Sequence, residues 1–205
     1  MSLPLIVLGA GGHAAVLIDA LQRCGAEILG IAGPGLAAGS KGPLGVPILG
    51  GDDDVLERDP GSIRLVNGLG STRLPEARQS LYQRFKAGGY SFETVVHPSA
   101  VVARDVILGE GTQVMAGAVI QTGTILGANV IVNTRVSVDH DCRIGDGVHL
   151  APGVTLSGLV TIGRASHLGT GSVVIHQITI GAGCLIAAGA TVYRDLPDGQ
   201  ELVTR

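Results

Sequence analysis

Residues 100–195 divide without a gap into groups of six: AVVARD, VILGEG, TQVMAG, AVIQTG, TILGAN, VIVNTR, VSVDHD, CRIGDG, VHLAPG, VTLSGL, VTIGRA, SHLGTG, SVVIHQ, ITIGAG, CLIAAG, ATVYRD. The third residue of every group is aliphatic, from Val102 to Val192. Side chains of a strand alternate between its two faces, so the first and third places point inward and the second points outward. The first places hold mostly small or β-branched residues, which suits a narrow interior. The repeat therefore predicts short strands that are separated by regular turns.

A second repeat, of eighteen residues, indicates how these strands stack. Gly109, Gly127, Gly145, Gly163 and Gly181 each follow an inward aliphatic residue and lie eighteen residues apart. One coil is therefore three groups long, which gives a triangular prism of parallel strands about 4.8 Å apart. We expect these glycines to stand at corners that need a positive φ angle. The groups resemble the hexapeptide repeat of the left-handed parallel β-helix, and the resemblance implies a left-handed connection against the usual preference.

The composition excludes several classes of protein. The chain has 33 glycines, 45% hydrophobic and 15% charged residues, which fits neither a disordered chain nor a coiled coil. The net charge of −3 offers no basic surface to a nucleic acid, so we predict no nucleic-acid partner. Three cysteines without paired spacing suit a reducing compartment, and no apolar stretch is long enough for a signal sequence or a membrane span. We predict a cytoplasmic protein.

The N-terminal segment carries a glycine motif between a strand and a helix. Residues 3–24 read LPLIVLGAGGHAAVLIDALQRC, in which Gly9, Gly11 and Ala14 satisfy the pattern G-x-G-x-x-G/A. In this context the glycines let the backbone approach a pyrophosphate, and the first amides of the helix face its charge. We predict an α/β, Rossmann-like domain over residues 1–94. A tight turn that binds no ligand is the alternative.

The rest of this segment favours a nucleotide-sugar over a dinucleotide. A second strand, AEILGIAG, ends at Gly33, and no acidic residue follows before Asp52, although a dinucleotide site normally has one there. A third strand at residues 63–69 precedes Gly70, Ser71 and Arg73, and a helix is expected near 75–87. Gly70 could offer a second backbone contact and Arg73 could reach a phosphate. For Arg73, a solvated surface position is the alternative.

His140 lies in the segment VDHDC, at a predicted corner of the prism. A histidine beside a carboxylate is typical of an oriented general base, and a solvated corner residue is the alternative. His176 occupies the same corner two coils away, about 10 Å distant. One metal ion holds imidazole nitrogens at about 2.1 Å, so we predict no metal site. Cys142 occupies an inward place and is excluded as a nucleophile.

Four motifs together resemble one family. GAGGHA at 9–14, GVPILG at 45–50, VVHPSA at 95–100 and NTRVSVDHDC at 133–142 look like bacterial hexapeptide-repeat sugar acetyltransferases. That family includes N-acetyltransferases of nucleotide-linked 4-amino-4,6-dideoxy sugars, of the bacillosamine and perosamine type, and members like sialic-acid O-acetyltransferase. The resemblance implies acetyl-CoA as cosubstrate, a β-helical acetyltransferase domain over 95–205, and a homotrimer with active sites between subunits. Seven outward residues would suit packing between chains: Val101, Ile107, Val119, Ile125, Ile131, Val173 and Leu185.

The resemblance also implies roles for single residues. His140 would be the general base and Asp141 its orienting partner in a direct transfer without an acyl-enzyme. The remaining assignments are Asn133 beside the substrate amine, Gly158 with its N–H toward the thioester carbonyl, His149 in the acetyl-CoA cleft, and Gly11, Gly12, His13 and Gly70 around the nucleotide-sugar. A sugar O-acetyltransferase, or a β-helix that binds a nucleotide-sugar without catalysis, remain the alternative functions.

Overall fold

The computed structural model describes residues 3–203, and its N-terminal part is a four-stranded parallel sheet. The elements are β1 (Leu5–Leu8), α1 (Gly12–Arg23), β2 (Ile28–Ala32), a 3-10 turn (Pro43–Gly45), β3 (Ile48–Gly50), α2 (Asp52–Leu56), β4 (Arg64–Asn67) and α3 (Glu76–Ala87). The strand order is β3-β2-β1-β4. The chain therefore runs outward from β1 to β3 on one side and returns with β4 on the other, as in a Rossmann-like domain.

The sequence predicted three of these four strands and both long helices. The strand that we expected at 63–69 is the fourth in the chain, because GVPILG contains the additional edge strand β3. Helix α1 buries Ala14, Leu17 and Ile18 in a cluster with β1, which is the reason for its apolar face. The division at 94/95 stays a prediction.

The rest of the chain winds into three parallel sheets. Sheet 1 has β5 (Val95–Val96), β8 (Gln113–Val114), β11 (Ile131–Val132), β14 (His149–Leu150), β17 (His167–Leu168), β20 (Leu185–Ile186) and β22 (Glu201–Leu202). Sheet 2 has β6 (Val101–Val102), β9 (Val119–Ile120), β12 (Ser137–Val138), β15 (Thr155–Leu156), β18 (Val173–Val174) and β21 (Thr191–Val192). Sheet 3 has β7 (Ile107–Leu108), β10 (Ile125–Leu126), β13 (Arg143–Ile144), β16 (Thr161–Ile162) and β19 (Thr179–Ile180).

The register confirms the predicted coil of three groups. Ile125 pairs with Ile107 on one side and with Arg143 on the other, so partners lie one coil apart. The inward third places are buried from Val114 onward, whereas Val102 and Leu108 in the first coil are half-buried. The C-terminal half is therefore a β-helix with a continuous aliphatic core.

The glycine column has a different role from the one that we predicted. Positive φ angles occur at the sixth place of the groups, at glycines such as Gly147 and at other residues such as Asp141, whose φ is 58°. Gly145 and the other column glycines do not need a positive φ. A Cβ atom on Gly145 would instead lie 2.7 Å from the backbone nitrogen of Arg164. Glycine is required in the column because the backbones of successive coils approach closely there.

The N-terminal domain covers sheet 1. The outward residues Gln113, Ile131, His149 and His167 are therefore buried, although the corresponding places on the other sheets are mostly exposed or half-buried. Gln113 Nε2 donates to the main-chain oxygen of Asn67 at 2.8 Å, which ties the two parts together. The expectation that Ile131 packs against a neighbouring chain is wrong, because its own N-terminal domain covers it.

Candidate active site

The glycine loop leaves the start of helix α1 open. Gly11 precedes the helix with an extended backbone, and as a glycine it cannot cap the first amides with a side chain. Cβ atoms on Gly11 and Gly12 would meet nothing within 4 Å among the described residues. Both residues line a cleft of about 690 Å³, here called the first cleft. The amides at the start of a twelve-residue helix therefore face a space that suits an anion.

His13 forms one wall of the first cleft. Its Nε2 lies 2.8 Å from Gln113 Oε1, and a Cβ atom on Gly70 would lie 3.2 Å from His13 Cβ. Burial above all, together with the charge of Arg78, lowers the pKa of His13 to about 4, although the hydrogen bond with Gln113 acts in the opposite direction. His13 is therefore neutral near neutral pH. The predicted residues Gly70 and His13 are in direct contact.

His149 joins the N-terminal domain to the prism. Its Nδ1 lies 2.8 Å from Ser71 Oγ, and its Nε2 lies 3.2 Å from Asn133 Nδ2. Burial is the main cause that lowers the pKa of His149 to about 3, followed by the charges of His167, His13 and Arg78. The imidazole is thus a neutral hydrogen-bonding group between a loop and a corner.

Arg78 is a residue that our sequence reasoning missed. It lines the first cleft, and its buried Nη1 donates to the main-chain oxygens of Asn67 at 2.9 Å and Leu69 at 2.6 Å. Nε and Nη2 have no hydrogen-bond partner among residues 3–203. Burial lowers the pKa of Arg78 to about 9, so the guanidinium is still charged at neutral pH. The polar sequence of helix α3 gives no sign that this arginine is buried.

A second cleft of about 620 Å³ continues from the first along sheet 1. Arg73, Asn133 and His149 line both clefts. Arg73 is mostly exposed, and its Nη2 lies 3.5 Å from Glu201 Oε1. The structure thus places Arg73 at the rim where the two clefts join, with a solvated side chain.

His140 stands at the corner between sheets 2 and 3, here called the histidine corner. Its Nδ1 lies 2.9 Å from Asp141 Oδ2, and its main-chain nitrogen donates to Asp139 Oδ1 at 2.8 Å. A Cβ atom on Gly158, one coil later, would lie 2.5 Å from His140 Nε2. The imidazole therefore lies over Gly158 and fits there because that residue has no side chain.

The rings of His140 and His176 are closer together than the coil spacing predicted. Their centroids lie 6.1 Å apart, because both side chains can lean across Gly158, which separates them. Within residues 3–203, no three His, Cys, Asp or Glu side chains come together as a metal site would require. Cys142 lies in the core, where burial raises the pKa of its thiol, and its Sγ contacts the Ser157 oxygen at 3.4 Å. Its exclusion as a nucleophile agrees with this position.

The predicted site residues form two groups in one chain. The first cleft brings together Gly11, Gly12, His13, Gly70, Arg73, Asn133 and His149. The histidine corner brings together His140, Asp141 and Gly158. Asn133 follows sheet 1, whereas His140 follows sheet 2, so one face of the prism lies between the two groups.

A Rossmann-like domain on a hexapeptide β-helix, with a cleft between them, defines a transferase of the hexapeptide-repeat class. Residues 4–85 match the PglD N-terminal domain, and residues 123–158 and 160–194 match the bacterial transferase hexapeptide (six repeats). The chain belongs to the family of bacterial sugar acetyltransferases that combine these two parts in a left-handed β-helical fold. No curated protein sequence matches the chain significantly.

Solved structures cover nearly the whole chain. A mutant of perosamine N-acetyltransferase from Caulobacter crescentus, in complex with CoA and GDP-perosamine, is 38% identical, with 98% of this chain and 93% of that chain covered and a TM-score of 0.90. The acetyltransferase domain of PglB from Neisseria gonorrhoeae, in complex with acetyl coenzyme A, is 34% identical, with coverages of 98% and 96% and a TM-score of 0.89. Over residues 3–203, no helix is both long and apolar enough to span a membrane.

Proposed function

We propose that the protein transfers the acetyl group of acetyl-CoA to the amine of a nucleotide-linked 4-amino-4,6-dideoxy sugar. The similar protein from Caulobacter was crystallised with CoA and GDP-perosamine, and the similar domain from Neisseria with acetyl coenzyme A. These relatives favour an amine acceptor over the hydroxyl that an O-acetyltransferase would use. Binding of acetyl-CoA is what separates this proposal from a β-helix without catalytic function.

The observation that carries the proposal is the geometry of the histidine corner. Asp141 holds Nδ1 of His140, which leaves Nε2 as the base above Gly158. In the proposed step the sugar amine attacks the thioester carbonyl, His140 accepts the amine proton, and the C–S bond breaks so that CoA leaves as a thiolate. The imidazolium then returns the proton to the sulfur, which gives the CoA thiol. Asp141 stabilises the imidazolium. The N–H of Gly158 faces the oxyanion, a contact that is typically worth about 3 kcal/mol.

The first cleft suits the nucleotide end of the substrate. The free amides at Gly11 and Gly12 and the buried charge of Arg78 attract a diphosphate. In this proposal His13, Gly70 and Arg73 complete the nucleotide-sugar site. Asn133 lies beside the amine, and His149 lines the path of acetyl-CoA through the second cleft.

The division of the site into two groups supports a homotrimer. A substrate held in the first cleft of one chain lies one prism face away from that chain's own His140, so we propose that a neighbouring chain supplies the base. Exposed Val101 and Ile107 offer apolar surface for such contacts. We further propose a cytoplasmic role in glycan biosynthesis, which agrees with cysteines that form no disulfide.

A thiol-release assay with UDP-, GDP- and dTDP-linked 4-amino sugars tests this function. The His140→Ala variant should lose about 10²- to 10⁴-fold in kcat, because the base is removed, while calorimetry still detects acetyl-CoA binding. His176→Ala is the matched control at the same corner and should keep its activity. A near-normal kcat for His140→Ala would exclude His140 as the base.

A further inference from the structure

His149 lines the second cleft, but both of its ring nitrogens are already engaged within the chain. Asn133 Oδ1 accepts a hydrogen bond from the main-chain nitrogen of Thr134 at 2.8 Å, so the Asn133 amide nitrogen is turned toward His149. An amide nitrogen can only donate, and His149 Nε2, at 3.2 Å, is therefore the acceptor. In a neutral imidazole the proton then lies on Nδ1, which donates to Ser71 Oγ at 2.8 Å. His149 thus has no nitrogen left for a ligand.

His167 lies one coil after His149 and lines the same cleft. The residue is only 5% exposed, and its buried Nδ1 has no hydrogen-bond partner within residues 3–203. Its ring packs edge-to-face against that of His149, with the centroids 4.8 Å apart, which holds it in the cleft wall. Buried polar atoms are nearly always hydrogen-bonded, so this imidazole calls for a partner that the described part of the chain does not supply.

The surroundings of His167 suit an uncharged polar ligand. Burial lowers the pKa of His167, so its imidazole is neutral and offers one N–H donor and one nitrogen acceptor. Among the described residues, the charged side chains that line the second cleft are Arg73 and Glu201, which lie 3.5 Å from each other. The wall around His167 consists mostly of small or aliphatic residues: Ala151, Pro152, Gly169, Leu185, Ala187 and Ala188. This wall favours an uncharged group over a phosphate.

We infer that His167 binds a secondary amide in the pantetheine arm of acetyl-CoA. The inference rests on the proposed function and adds a residue that binds the acetyl donor. A secondary amide carries an N–H and a carbonyl oxygen, so it can bond with either nitrogen of a neutral imidazole. The arm joins the thioester to a charged nucleotide and is itself uncharged, which suits a mainly apolar wall with one polar group. His167 positions the arm in this way without touching the reacting atoms.

The variant His167→Leu tests this assignment. Leu185 occupies the next outward place of sheet 1, so leucine is compatible with this face. Calorimetry compares CoA with adenosine 3′,5′-bisphosphate, which keeps a charged nucleotide but lacks the arm. The variant should bind CoA about three- to tenfold more weakly, because one neutral hydrogen bond is lost, and should bind the bisphosphate as the unchanged protein does. At saturating acetyl-CoA its kcat should be unchanged.

Two matched variants separate the hydrogen bond from packing. His167→Gln keeps a donor and an acceptor, and Gln113 shows that glutamine fits the same face of sheet 1, so the affinity for CoA should be largely kept. Ser172→Ala removes another buried atom without a partner, the Ser172 Oγ, which does not line the second cleft, and should bind both ligands normally. Unchanged CoA affinity in His167→Leu would overturn the inference, as would equal losses for CoA and the bisphosphate or equal losses in His167→Leu and His167→Gln.

A further variant covers the case in which His167→Leu does not fold. His167→Phe keeps an aromatic ring against His149 and should show the same selective loss of affinity for CoA. If the unchanged protein binds CoA and releases thiol but the folded variant keeps its full affinity for CoA, only the role of His167 is wrong. If the unchanged protein binds no CoA and releases no thiol with any substrate, the proposed function itself fails.

Discussion

At the scale of single residues, the first cleft differs from the histidine corner because its histidines, His13 and His149, are buried and uncharged. His13 and His149 each have a lowered pKa, because both are buried where the two domains meet and Arg78 lies nearby. They serve as neutral hydrogen-bonding groups between the two domains. His140, by contrast, is partly exposed and lies beside Asp141.

These pKa values predict that the protein loses stability as the solution becomes more acidic. The unfolded chain binds a proton at His149 below about pH 6.5, whereas the folded protein does so only near 3. The contribution is complete above pH 6.5 and falls with decreasing pH, by up to about 1.4 kcal/mol per pH unit. Urea unfolding between pH 7 and 5 measures it, above the range in which carboxylates titrate.

Two histidine variants separate this effect from other causes. His149→Gln removes the titrating group, so the free energy of unfolding should depend less steeply on pH in this window. His176→Gln changes an exposed histidine and serves as the control. An unchanged slope in His149→Gln would contradict the assignment of the pH dependence to His149.

At the scale of elements, the corners of the prism use glycine for two separate reasons. Gly145 has an ordinary backbone conformation but no room for a Cβ atom against the backbone at Arg164. Gly183 has a φ of 64° but open space around it. The first glycine is needed for the approach of two coils and the second for the turn itself.

Alanine at these two positions should therefore have different effects. Gly183→Ala should cost about 1–2 kcal/mol in the free energy of unfolding, which is the cost of a left-handed conformation. Gly145→Ala should cost more, because the coils must separate or lose their hydrogen bonds. Urea unfolding of both variants measures the difference. Equal losses would contradict the additional cost that we assign to the close approach of the coils at Gly145.

The sequence was sufficient to predict the elements that carry a periodic pattern of residues. It was not sufficient to predict the features that depend on tertiary contacts. The six-residue repeat located the strands of the β-helix, and the glycine motif located α1. Strand β3 was missed because three residues are too short for a pattern. The role of the Gly145 column was mistaken because spacing does not reveal a backbone angle. Arg78 and His167 look like surface residues, since their burial depends on tertiary packing.

At the scale of the whole molecule, the proposed function implies a site that is incomplete in one chain. The first cleft carries the groups that suit a nucleotide-sugar, and the histidine corner carries the proposed base, with sheet 2 between them. Cyclic assembly would repeat the same pair of surfaces around an axis, so that each cleft faces the corner of its neighbour. The oligomer would then be a condition for catalysis.

Complementation between two inactive variants tests this arrangement. Gly12→Phe should fill the first cleft without straining the fold, because a Cβ atom there is unobstructed. His140→Ala keeps the cleft but removes the base. If sites form between chains, coexpression of the two variants should restore about a quarter of the sites, since the cleft and the corner each come from the intact variant half of the time. Absence of thiol release from the mixed oligomers would place each site within one chain.

The eighteen-residue coil also limits which insertions the β-helix can accept. An insertion of one group of six between His140 and Gly158 would keep every later third place inward, so the interior would stay filled. The same insertion would rotate all later residues by one face and carry Gly158 away from the imidazole above it. An insertion of six residues can therefore preserve the fold and still abolish the proposed activity. Whole coils inserted outside the interval from His140 to Gly158 preserve both the filled interior and this contact.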